Sequence, residues 1–156
     1  MGWRCTRIRQ SGVCGQCSNL IVLAKNFYSP VTGQWCIYGH KVLAIAASGI
    51  SGAEKEIISA LESDLKYDTP FTKISSFHCI AVIGRNNAYL IFKDEGEETV
   101  TICRQREPHA IGSGGLIAQT AMKCGEDAIG AVQVAIELDV YSGGKIQEFS
   151  IRKAVR

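Results

Sequence analysis

"FHCIAVIGRNNAYLIF", residues 77–92, holds two apolar runs around a Gly-Arg-Asn-Asn step. Each run is short, rich in β-branched and aromatic residues, and bounded by turn formers. That pattern predicts strands over 77–83 and 88–92, joined as a hairpin through 84–87. A third strand, "TVTIC" at 99–103, follows a second turn at Asp94-Glu95-Gly96, so the middle of the chain reads as a strand meander.

Upstream of it, Val42-Leu43-Ala44-Ile45-Ala46-Ala47 is an apolar run closed by Ser48-Gly49, the pattern of a strand buried on both faces. Over 52–65, Ile57, Ile58, Leu61 and Leu65 recur every three or four residues opposite Glu54, Lys55, Glu62 and Ser63. This predicts an amphipathic helix, closed by Asp68-Thr69-Pro70. Downstream, helical patterns at 116–123 and 126–138 flank Gly125, and a last strand is expected over 145–151. Strands, a helix, a meander, two helices and a final strand predict an α+β fold of antiparallel sheet with helices outside it.

At 156 residues and 46% hydrophobic content the chain fits a single domain spanning 1–156. No apolar run reaches the ~18 to 20 residues that span a bilayer, and Arg4, Arg7 and Arg9 precede no apolar signal region. A soluble, cytoplasmic protein with no membrane contact is expected. Seven scattered cysteines, an odd number, suit reduced thiols better than a disulfide framework. The net charge of +2 hides an asymmetry: residues 1–53 carry five basic side chains and no acid, the rest 12 basic and 15 acidic. Five dispersed charges make a weak nucleic-acid surface.

Cys14-Gly-Gln-Cys17, with Cys5 and Cys36, offers four thiolates to zinc, but the second pair is not a Cys-x-x-Cys. As a redox pair, Cys14 and Cys17 lack the helix that stabilises a thiolate. Met1-Gly2-Trp3-Arg4-Cys5-Thr6 formally matches an acylation pattern, with bulky Trp3 against it. His40, His78 and His109 are scattered and are given no chemistry. "AIGSGGLIAQTAM", residues 110–122, runs from a strand end through a glycine-rich turn into a helix. It lacks the lysine of a phosphate loop and the first glycine of a nucleophile elbow, so in isolation Ser113 reads as a helix cap.

The long-range arrangement says more. Gly112-Ser113-Gly114-Gly115, two helices, then Asp139-Val140-Tyr141-Ser142-Gly143-Gly144 form a constellation with Lys25-Asn26-Phe27-Tyr28, the strand at 42–47 and the helix after Gly49. Over residues 19–151 it resembles proteasome β-subunits and the bacterial proteasome-like protease HslV, in the compact form of phages and prophages.

The resemblance implies a four-layer αββα sandwich of the N-terminal-nucleophile hydrolases, two antiparallel sheets face to face with helices on both outer sides. It implies a threonine-type peptidase whose N-terminal hydroxyl attacks a peptide carbonyl, its own α-amine acting as base. Lys25 would lower the hydroxyl's pKa. Ser113, Asp139 and Ser142 would form the supporting hydrogen-bond network, and Gly143 would allow close backbone approach. Backbone N–H groups around Ala47 to Gly49 would hold the oxyanion, with Ala47 where the family has glycine. No cofactor or metal is implied. The partners implied are peptide or unfolded-protein substrates, further copies in a homo-oligomeric ring, and an ATP-dependent unfoldase.

The start of the chain departs from that pattern. The family's threonine lies further before its lysine than residues 1–24 extend, and Arg4 to Arg9, where an aspartate is expected, contain no acid. Gly2 has no side-chain nucleophile, and Thr6, the nearest threonine, is 19 residues before Lys25. Residues 1–18 are therefore atypical and the sandwich is expected without its first strand. An inactive relative, a truncated or misread product, and an enzyme with an upstream start all fit. The rival readings are a non-catalytic assembly subunit on the same fold, and a small zinc- or nucleic-acid-binding protein built on the basic, Cys-rich N-terminal region.

Overall fold

The computed structural model describes residues 4–11, 21–24, 26–84, 87–105 and 108–152. In chain order it contains β1 (Arg4–Ser11), β2 (Ile21–Ala24), β3 (Asn26–Tyr28), β4 (Trp35–Ile37), β5 (His40–Val42), β6 (Ala44–Gly49), α1 (Ala53–Glu62), β7 (Phe77–Gly84), β8 (Asn87–Lys93), β9 (Thr101–Gln105), α2 (Gly115–Lys123), α3 (Ala128–Leu138) and β10 (Gln147–Arg152). The fold is α+β, as the element order predicts.

The expected meander is present: β3-β6-β7-β8-β9 form one sheet, antiparallel at every step. β10-β1-β2 form a second sheet, and β4-β5 a short hairpin. The second sheet corrects the expectation of antiparallel pairing throughout. β1 runs antiparallel to β2 but parallel to β10, with Ile8 beside Phe149. The chain reaches β10 from α3 rather than from a hairpin, so no tight turn imposes an antiparallel return.

Strand alternation sorts the side chains. Phe77, Cys79 and Ala81 of β7, with Tyr89 and Ile91 of β8 and Ile45 of β6, join Ile57 and Leu61 of α1 in one apolar cluster. The intervening Ile80, Val82, Ala88 and Ala46 face the other way, into a cluster with Ile111 and Phe149 of β10. A third cluster lies between α2 and α3, around Ala118, Ala131, Val132 and Ala135, and these helices pack on β2 and β1. Each fully buried aliphatic side chain contributes roughly 1.5–3 kcal/mol. β6 is thus buried on both faces as expected, although Val42 leaves its predicted span to pair with Trp35 of β4.

Helix α1 stops three residues before its expected end. Asp64 takes a left-handed φ of 64°, and its carboxylate accepts the Gly39 N–H at 2.7 Å. Leu65 then donates its N–H to the Cys36 carbonyl at 2.9 Å, so it is buried beside β4 rather than as part of the helix.

Among the described residues, no helix is long and apolar enough to cross a membrane. Lys93 is only 2% exposed. Its ammonium donates to the carbonyls of Ser75 (2.6 Å), Asp94 (3.1 Å) and Lys73 (3.4 Å), tying the 70s loop to the end of β8. Nearby, Glu56 accepts the Thr72 N–H at 3.2 Å. Burial alone would raise the Glu56 carboxyl, but hydrogen bonding from Thr72 and Ser75 and the Lys93 charge hold it below its usual range. Lys93→Met keeps the aliphatic stem but strands these carbonyls and removes the countercharge. A loss of about 2–4 kcal/mol is expected in urea unfolding.

Candidate active site

Three elements converge on one carboxylate. Asp139 ends α3, where its N–H still bonds back to the Ala135 carbonyl at 2.8 Å. Its Oδ2 accepts the Ser142 hydroxyl at 2.5 Å and the Ser113 hydroxyl at 2.6 Å, and its Oδ1 accepts the Tyr141 N–H at 3.3 Å. Ser113 is 26 positions away in sequence, delivered by the glycine turn before α2. It is not that helix's cap: Gly114 is the N-cap residue, and no side chain caps the helix.

Gly114 makes this convergence possible. A Cβ there would fall 2.6 Å from the Ser142 hydroxyl and 3.1 Å from the Ala135 methyl. Only a bare backbone lets the start of α2 reach the end of α3. The close approach expected at Gly143 is absent, since a Cβ at that position would meet nothing within 4 Å.

The expected oxyanion turn lies at the end of β6. Ile50 donates its N–H to Ser76 on the β7 side at 3.1 Å, and N–H directions alternate along a strand. The Ala47 N–H therefore points to β3, where Ala47 pairs with Asn26 and is taken up in the ladder. Gly49 points the same way, beyond that pair. It has φ +154°, and a Cβ on it would collide with the Ser76 carbonyl. The Ala47 N–H is thus engaged by the sheet, and the Gly49 N–H lies beyond the Asn26–Ala47 pair. Around it, Tyr28, Ser48, Glu54 and Phe77 help to line a cavity of about 30 Å³.

Lys25 lies outside the described residues, as do Cys14, Cys17 and the Met1-Gly2-Trp3 start of the acylation pattern. The register places its flanks: Ala24 pairs with Arg4 of β1, and Asn26 pairs with Ala47. β2 in turn packs against both β6 and α2. The structure thus joins Ser113, Asp139 and Ser142 directly, and brings the segment around Lys25 to the Ala47 turn.

Among the described residues, no group of three or more His, Cys, Asp and Glu side chains is placed to hold a metal ion. Cys36, Cys79, Cys103 and Cys124 are free thiols, and burial pushes the Cys79 thiol up and out of reactive range. Compared with family models, curated proteins and solved structures, the chain matches none.

Sequence reasoning missed Gln119 and Gly114. The Gln119 side-chain carbonyl accepts the Ala110 N–H at 2.9 Å, and its amide donates to the Pro108 carbonyl at 2.8 Å, fixing the approach to Ser113. A polar residue on the amphipathic α2 looks solvated in sequence, and nothing there marks it as a clamp.

The hydroxyl of Ser113, then that of Ser142, hold the Asp139 carboxyl below its usual range. Such a group contributes stability that is present above the unfolded-state pKa and lost as pH falls through the lower folded value. In a ¹³C carboxyl titration, Asp139 is expected to titrate below an ordinary aspartate. Ser113→Ala should raise its midpoint more than Ser142→Ala does. Unchanged midpoints in both variants would show that the hydroxyls do not hold it.

Proposed function

We propose that the chain is a proteasome/HslV-like peptidase-family protein, built as the four-layer αββα sandwich of the N-terminal-nucleophile hydrolases. The observation that carries the reading is the Ser113–Asp139–Ser142 junction, in which one carboxylate oxygen gathers two hydroxyls from opposite ends of the α2–α3 pair. An anion with its geometry fixed in this way can orient an ammonium or amine beside it, which is what a catalysing N-terminal amine needs.

The stacking of the apolar clusters supports the layer order. One cluster lies between α1 and the five-stranded sheet, one includes residues of both sheets, and one lies between α2 and α3. The pairing of Arg4 with Ala24 also brings the N-terminal end of β1 to the step that Lys25 occupies in the sequence. In this reading a hydroxyl nucleophile at the mature N-terminus attacks a peptide carbonyl, Lys25 favours its ionised form, and the Gly49 N–H receives the oxyanion. Glu54, whose carboxylate accepts the Gly52 N–H at 3.1 Å, lines the small cavity beside Gly49.

A second reading, a non-catalytic assembly subunit on the same fold, is favoured by one observation. Leu116 is 80% and Val140 89% exposed, with Leu138 and Tyr141 also exposed, on the segments that the Ser113–Asp139 bond brings together. Apolar exposure concentrated in one place suits contact with another chain.

Intact-mass analysis of the natural protein, paired with fluorogenic peptide cleavage, separates the two. The peptidase reading expects a mature N-terminal nucleophile and hydrolysis that falls about 10²–10⁴-fold in Lys25→Ala, with Ser113→Ala reducing kcat more than it alters KM. An N-terminus at Met1 or Gly2 with no hydrolysis selects the assembly subunit. Hydrolysis indifferent to Lys25 and Ser113 overturns both.

A further inference from the structure

A groove of about 560 Å³ runs between α1 and residues 69–72. Glu56, Ser59 and Ser63, spaced three and four residues apart, form its helix wall, and Thr69, Pro70 and Phe71 the facing one. Hydrogen bonds fix that second wall. The Thr69 hydroxyl accepts the Lys66 N–H at 2.9 Å, the Glu98 carbonyl accepts the Phe71 N–H at 2.8 Å, and Glu56 accepts the Thr72 N–H at 3.2 Å. The volume is that of a pre-formed small-molecule site.

We propose that this groove binds a linear aliphatic diamine, one ammonium held by Glu56 and the other by the C-terminal end of α1. The site shares no residue with the Ser113–Asp139–Ser142 junction, and it stands whether or not the chain cleaves peptides.

The lining selects a cation. Glu56 is the ionisable group among the described residues that border the groove, so the charge there is negative. Its Oε1 accepts from Thr72, but its Oε2 is buried and has no hydrogen-bond partner. A carboxylate oxygen left in that state is costly, and a donor that reaches it removes the penalty. The terminal torsion of a glutamate is broad, so a small turn of the carboxylate presents this oxygen to the groove. Lys93 does not serve it by contact, since its ammonium is held by the carbonyls of Lys73, Ser75 and Asp94.

The other end of the groove is negative for a different reason. The C-terminal end of α1 carries the negative pole of the helix dipole, and its last turn has no basic residue to meet it. From Glu56 to Ser63 the helix rises about 10 Å. Between these ends, Ala60, Pro70 and Phe71 offer apolar surface. Two negative ends joined by an apolar stretch match two ammonium groups on an alkyl stem better than a single charge does. The Ser59 and Ser63 hydroxyls can accept further ammonium protons.

NMR titration of the full chain with diaminohexane tests this, with hexylamine as the single-charge control and hexanediol as the uncharged one. Saturable shifts are expected at the Ser59, Ser63 and Thr72 amides, with diaminohexane binding about tenfold more tightly than hexylamine. Glu56→Gln, which keeps an oxygen for the Thr72 N–H, should weaken diaminohexane binding by about tenfold. Ser63→Lys sets a tethered ammonium at the far end and should bring diaminohexane down to the affinity of hexylamine. That readout does not depend on the folding of Glu56→Gln. No saturable shift, or shifts equal to those with hexanediol, would overturn the site. So would shifts as large at the exposed acidic loop 94–98, or binding unchanged in both variants.

Discussion

Strands β6, β7 and β8 have no face that can be left to water. Ile45, Cys79 and Ile91 point to one side and Ala46, Ile80 and Ala88 to the other, all of them buried. A sheet with two apolar faces must be covered twice. α1 and the β4–β5 hairpin cover one side; Ile111 and Phe149 reach the other. With both faces occupied, polar chemistry is left to the ends of the strands and the turns that leave them. The Ala47–Gly49 turn is such an end. The Gly112–Gly115 turn is another, fixed by a residue, Ile111, that belongs to the second core.

Much of this was legible in sequence because it depends on local periodicity. The alternation over 77–92, the three- and four-residue spacing from Ile57 to Leu61 and the glycine at 125 each specify one element without help from distant residues. What was not legible depends on pairing between distant segments. Leu65 continues the helical spacing, yet β4 captures its N–H, and no pattern within 52–65 shows that competitor. Likewise the parallel β1–β10 pair joins the two ends of the described chain, a partnership that spacing cannot encode.

The candidate site divides in the same way. Ser113, Asp139 and Ser142 were found as residues, and the structure places them on one oxygen. Their supports were not found, or were assigned to the wrong neighbour. Gly143 and Gly114 look alike in sequence; only the arrival of Ser142 and Ala135 beside Gly114 makes the missing Cβ matter there. Ala47 ends an apolar run, and nothing within that run shows which strand pairs with it. The direction of its N–H is set by the β3 partner, and the partner takes it.

Two loops are anchored to the five-stranded sheet by different chemistry. On the α1 side, Lys93 is buried, its ammonium donates to three carbonyls, and its charge helps to hold the nearby Glu56 carboxyl below its usual range, so that loop is anchored by charge-assisted hydrogen bonds. On the opposite face, the approach to Ser113 is seated by an apolar side chain next to a half-buried imidazole. Both arrangements position a loop against the same sheet. The first does so through charge-assisted hydrogen bonds, the second through apolar burial. A fold that places its serine–aspartate junction at the end of the second loop has tied that junction's geometry to the packing of Ile111 in the second core.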